Sequence, residues 1–140
     1  MSPDLVEFWI ITHAGIPIFY YSPNAKQEPT LIGGFFSAIQ EMAKAMGGNP
    51  QQIDDYVEQL SLGKVNLTFL SNSKYQLFFI VKTKKNLKAK KIQTHLQNIE
   101  ELFIKQFEAQ LVNFPLDPSL FDSFLNPFLN YFNDKKMLSK

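Results

Sequence analysis

The chain has 140 residues, with 45% hydrophobic and 19% charged side chains and a net charge of +1. That is the composition of one folded domain with a real core, and it excludes a disordered segment. All fourteen cations are lysine, and the small net charge together with the lack of arginine for forked recognition of phosphate or guanine argues against a nucleic-acid partner. With no cysteine, disulfides, thiolate metal sites and cysteine nucleophiles are excluded as well.

The chain begins with two apolar runs, predicted as strands over about 5–12 and 16–22, around the turn residues His13-Ala14-Gly15. Gly15 can take a positive φ without steric cost, and Pro17 suits an edge strand because it cannot donate a ladder hydrogen bond. Phe8-Trp9-Ile10-Ile11 and Ile18-Phe19-Tyr20-Tyr21 do not alternate, so the sheet is expected to be covered on both faces, with Trp9 in the core. A loop from Pro23 to Pro29 leads to a helix over about 30–47. Its Leu31, Ile32, Phe35, Ile39, Met42 and Met46 recur at helical spacing, Thr30 is its N-cap, and Gly47-Gly48 and Pro50 stop it.

Three strands follow, over about 57–62, 65–70 and 75–82, with Gly63-Lys64 and Ser71-Asn72-Ser73-Lys74 as turns. Tyr75 to Val81 is apolar almost throughout and reads as a central strand. Helices over about 87–112 and 118–133 complete the chain. The first carries the stripe Ile92, Leu96, Ile99, Phe103, Phe107 and Leu111, and the second carries Leu120, Phe121, Phe124, Leu125, Phe128, Leu129 and Phe132.

The hairpin "IITHAGIPIFYYSP", the helix "LIGGFFSAIQEMAKAMGG", the meander "VEQLSLGKVNLTFLSNSKYQLFFIVKT" and the long helix after it resemble a longin-like domain, of the SNARE-like longin and roadblock superfamily. Roadblock domains usually begin with a helix, as profilin does, whereas this chain enters a strand at once. The resemblance spans nearly the whole chain and implies an α+β fold. It would be a single domain over 1–140, a three-layer α/β/α sandwich in the order β-β-α-β-β-β-α-α. Its five-stranded, mainly antiparallel sheet would carry one helix on one face and two on the other.

Catalysis finds little support. His13 in the first turn and His95 on the long helix lack a carboxylate partner at local spacing, and Asp54-Asp55 is an adjacent pair that suits a solvated loop. No zinc or EF-hand spacing occurs, and Gly33-Gly34 is not a phosphate cradle. No enzyme, metal or cofactor is expected. Acidic residues at the start and the lack of a long apolar run point to a soluble cytoplasmic protein, with any membrane contact peripheral.

Three features suit binding. Two interior glycines cost a helix about 1 kcal/mol each relative to alanine, so the row Gly33, Gly34, Ser37 and Ala38 asks for close approach of another backbone, either that of its own sheet or that of a partner. By resemblance this helix pairs longin and roadblock domains, with Gly33, Gly34, Ser37, Gln40, Glu41 and Lys44 as contacts. The run "KTKKNLKAKK" places Lys82, Lys84, Lys85, Lys88, Lys90 and Lys91 in one loop, either a solvated face or a site for an acidic partner or anionic surface. Asn126-Pro127-Phe128 matches an adaptor-binding tripeptide but sits in the apolar stripe and reads as core. A second edge of that stripe, Phe121, Leu125 and Leu129, is an interaction patch if the domain leaves it uncovered.

The resemblance implies a non-enzymatic interaction module for membrane traffic, an adaptor or regulatory subunit. Its partner would be a second longin or roadblock domain, as homodimer or heterodimer, together with a small GTPase. The alternative is a small-ligand sensor whose apolar pocket would draw polar tips from Tyr20, Tyr21, Tyr56 and Tyr75.

Overall fold

The computed structural model describes residues 4–13, 15–22, 57–112 and 117–137, and for 57–62 the backbone only. The helix expected over 30–47 and its proposed contacts Gly33, Gly34, Ser37, Gln40, Glu41 and Lys44 lie outside the described residues, as do Asp54, Asp55 and Tyr56.

The strands are β1 (Leu5–Thr12), β2 (Pro17–Tyr21), β3 (Val57–Leu62), β4 (Val65–Asn72) and β5 (Leu77–Lys84). They form one antiparallel sheet in the order β2-β1-β5-β4-β3. Helix α1 (Ala89–Leu111), a 3-10 helix (Pro118–Phe124) and helix α2 (Leu125–Asp134) follow. The class is α+β, an antiparallel sheet with two α-helices.

The strands at the centre of the sheet, β1 and β5, are apolar on both sides because each face has its own buried cluster. Phe8 and Ile10 of β1, Leu77, Phe79 and Val81 of β5 and Leu70 of β4 lie on the face that receives α1, the 3-10 helix and α2. Trp9, Ile11, Leu67, Phe69, Phe78 and Ile80 form a separate buried cluster on the other face. The pairing explains the division, since Trp9 is opposite Ile80 and Ile10 opposite Phe79, and successive residues point to opposite sides. In β2 the reason differs. The register with β1 slips between Ile10 and Ile11, a bulge that brings the consecutive residues Ile18 and Phe19 into the same cluster.

Turns follow from local chemistry. Gly15 takes φ 92°, its N–H donates to the Thr12 carbonyl at 2.8 Å, and Thr12 Oγ1 accepts from Ile16 N at 3.0 Å. Gly63, at φ 60°, opens the two-residue link between Leu62 and Val65, as a type II′ hairpin requires. The fifth strand begins at Leu77, not Tyr75. Asn72 Oδ1 accepts from Tyr75 N at 2.9 Å, and Gln76 adopts φ 55°, so 73–76 are held in a turn although Tyr75 is buried. The strand also runs on to Lys84, because Thr83 pairs with both Leu5 and Asn66.

The helices are built on phenylalanine spacing. The buried residues of α1 are the expected stripe plus His95, which lies beside Leu96. The expected single helix over 118–133 is instead two pieces. Asp117 caps the first, its Oδ1 accepting from Ser119 N at 3.0 Å, and Pro118 occupies the first position, where no amide donor is needed. Phe121 and Phe124, three apart, fall on one side of a helix with three residues per turn; Phe124, Phe128 and Phe132, four apart, share a side of α2. All four are buried, and Phe128 meets Phe8 at 4.8 Å, Tyr21 at 5.2 Å, Phe19 at 5.5 Å and Phe132 at 4.9 Å between ring centroids. Of Asn126-Pro127-Phe128, the Phe128 ring is therefore core and cannot be presented to a partner, although Asn126 is exposed.

Replacing Phe128 with alanine removes the ring that joins β1, β2 and α2. The expected loss is about 3–5 kcal/mol of unfolding free energy, measured by urea titration followed by circular dichroism.

Candidate interaction surfaces

Among the described residues, three regions carry polar or exposed side chains that bear on function. The first is the free edge of the sheet at β2, which pairs only with β1 among the described strands. Pro17 begins this strand, and beside it a groove of about 460 Å³ is lined by Pro17, Ile18, Phe19, Tyr20, Asp122 and Leu125. Ile16, Leu120 and Leu125 are exposed large apolar residues, at 54%, 50% and 41%. Of the second edge expected on the last helix, Phe121 is buried, Leu129 is partly buried and Leu125 is left open. The sequence spacing places Leu120 in the buried stripe, and the structure does not. This side chain faces water because a three-residue turn aligns Phe121 with Phe124 and turns Leu120 away.

The second region is the lysine run, which is not one loop. Lys82 and Lys84 lie on β5, where their side chains alternate with buried Thr83. Lys82 Nζ is 3.7 Å from Glu7 Oε1 across the strand pair, and Lys84 Nζ is 4.0 Å from Asp4 Oδ1. Glu7 is itself buried and also accepts from the Tyr20 hydroxyl at 3.4 Å. Burial first, and the Glu7 charge after it, raise the Tyr20 pKa. Lys85 and Lys88 occupy the connection to α1, Lys90 and Lys91 its first turn, and all four are exposed.

The third region is the setting of the two histidines. His13 lies at the end of β1, its Nε2 3.4 Å from Ser71 Oγ and its ring 4.4 Å from that of Phe78. His95 belongs to the opposite face, packed edge-on against Tyr131 and Phe132. The sheet thus separates the two imidazoles, so they do not share a site. His95 is only 8% exposed. Tyr131 Oη accepts from Asn98 Nδ2 at 3.0 Å and lies 2.8 Å from His95 Nδ1, so the phenol and the imidazole share one hydrogen bond. The other ring nitrogen, Nε2, is buried without a hydrogen-bond partner among the described residues. Burial, followed by the charges of Lys91 and Lys135, lowers the His95 pKa. This histidine ties α1 to α2.

Of the tyrosines proposed to line a ligand pocket, the three described ones do not converge. Tyr20 stacks on Trp9 on one face, Tyr21 packs against Phe128 on the other, and Tyr75 is buried in the turn before β5. Among the described residues no three His, Cys, Asp or Glu side chains come together, and no helix is long and apolar enough to cross a membrane.

No family model and no curated protein matches the sequence. Solved structures do resemble the fold. One is a structure of the mammalian SRP receptor, with a TM-score of 0.58 at 14% identity over 95% of this chain and 95% of that chain. Another is MglB of Myxococcus xanthus, with a TM-score of 0.55 at 14% identity over 76% of this chain and 85% of that one. Both neighbours carry longin/roadblock-type folds, and the fold of this chain is longin-like.

Because the folded-state pKa of His95 is lowered, the unfolded chain takes up the proton more readily. The stabilisation from the neutral imidazole is complete above the unfolded value of about 6.5 and is lost as pH falls through the folded value. Unfolding free energy is expected to decline below that pH, and His95→Gln to make the decline shallower. Urea titrations of both proteins across the acidic range check this.

Proposed function

We propose that this chain is a non-enzymatic, longin-type interaction module, a regulatory or adaptor subunit that pairs with a second longin or roadblock domain and acts with a small GTPase in membrane traffic. The observation that carries the reading is the edge position of β2 among the described strands, with exposed Leu125 lining the groove beside it and Ile16 and Leu120 also exposed, on a longin-like fold. An edge strand offers backbone donors and acceptors to a further strand, and exposed apolar side chains beside it supply the area that water would release on contact. The chain's own copy is the simplest partner.

The third layer of the sandwich, the helix expected over 30–47, belongs to this proposal, as do its contacts Gly33, Gly34, Ser37, Gln40, Glu41 and Lys44. What supports that layer is the burial of Trp9, Ile11, Phe78 and Ile80 on the face opposite α1 and α2.

Size-exclusion chromatography with light scattering tests the pairing. The full chain is expected to run as a dimer, and Ile16→Lys combined with Leu125→Lys to weaken its dissociation constant more than tenfold, about 1.4 kcal/mol or more. A strict monomer with no affinity for any small GTPase would remove the reading.

A further inference from the structure

We propose that the lysine-bearing end of the molecule docks on an anionic lipid bilayer. This surface is separate from the β2 edge and does not depend on the pairing proposed there.

The fold gathers the charges. β5 leaves the sheet at Lys84, and α1 begins a few residues later at Ala89, so Lys85, Lys88, Lys90 and Lys91 stand at one end of the molecule. The chain after α2 returns to the same end. Leu5 N donates to the Met137 carbonyl at 3.0 Å, while Lys84 N donates to the Asp4 carbonyl at 3.2 Å. That brings exposed Lys135 and Lys136 beside the start of β1 and the exit of β5. Lys91 and Lys135 both act on His95, which places them in one field. Among the described residues, Asp4 and Glu7 are engaged by Lys84 and Lys82, and Asp134 precedes Lys135 in the chain.

The arrangement runs against the needs of the helix. A helix N-terminus is the positive end of its dipole and favours acids in the first turn. Helix α1 has none there, no side-chain cap at Lys88, and lysines at 88, 90 and 91; its last turn has no base, and Glu100, Glu101 and Glu108 lie toward its far half. Local stability therefore does not account for these lysines, whereas an external anion does.

The chemistry favours a membrane over a single acidic side chain. Lysine is a mobile point charge without the fork that fixes one carboxylate or phosphate, and exposed lysines spread over two segments fit a diffuse negative plane. Leu87 is partly buried against the core, so the attraction is electrostatic and weakens with salt.

Vesicle co-sedimentation of the full chain tests this. Binding is expected to phosphatidylcholine vesicles containing about 30% phosphatidylserine and not to phosphatidylcholine alone, falling as salt rises from about 50 to about 200 mM. Lys90→Gln with Lys91→Gln should weaken it about thirtyfold, each lysine near such a surface contributing about a factor of five. The charge-matched control, Lys74→Gln with Lys105→Gln, alters exposed lysines elsewhere and should change it less than about threefold. No binding at low salt, equal loss in both variants, or tighter binding to polyglutamate than to the vesicles would each overturn the proposal. Light scattering on the same samples reads the dimer separately, so failure of one reading is distinguishable from failure of the other.

Discussion

The aromatic packing between sheet and helices is the constraint on which the rest depends. Phe8, Phe19 and Phe79 stand up from the sheet, and Phe103, Phe107, Phe121, Phe124, Phe128 and Phe132 come down to meet them, all buried. Phe103 meets Phe79 at 5.8 Å, Phe121 at 5.4 Å and Phe124 at 5.1 Å, mixing tilted and edge-on geometries that aromatic quadrupoles favour. Each ring is large and has few rotamers, so the cluster fixes where the 3-10 helix and α2 lie over β1 and β2. The groove at the sheet edge, the exposure of Leu120 and Leu125, and the return of the chain to the start of β1 all follow from that placement.

Much of this was legible in the sequence because burial leaves a period. The α1 stripe, the two-sided runs of β1 and β5 and the Gly63 turn are direct readings of spacing and turn chemistry. What escaped has physical reasons. The β2 bulge puts Ile18 and Phe19 in one cluster, which a strict period of two cannot represent. The switch from three-residue to four-residue spacing at Phe124 marks a change of helix type, and the stripe alone conceals it. Tyr75 looked like strand because it is apolar and buried, but a side-chain carboxamide captured its amide. The lysine run looked like one loop because charge suggests solvent, yet Lys82 and Lys84 face acids across strand pairs.

The candidate surfaces were legible in a different way. Exposure of Ile16 is a property of where a turn ends, and neither it nor the position of Leu125 beside β2 has a sequence signature. The lysines were visible as a cluster, but only the return of residues 135 and 136 joins them to a second segment. His95 is buried against Tyr131, thirty-six positions later, with which it shares a hydrogen bond. Long-range proximity of that kind is invisible to local pattern.

The placement of β1 has a consequence for how the chain acquires its shape. During synthesis the first hairpin emerges early, but Trp9 and Ile10 pair with Ile80 and Phe79, which leave the ribosome much later. The meander of β3, β4 and β5 closes through short connections, whereas inserting β1 beside β5 closes a long loop and is the entropically slow step. Until then Trp9, Ile10 and Ile11 are without the β5 partners beside which they are buried, and an exposed apolar hairpin of this kind is where premature association would begin.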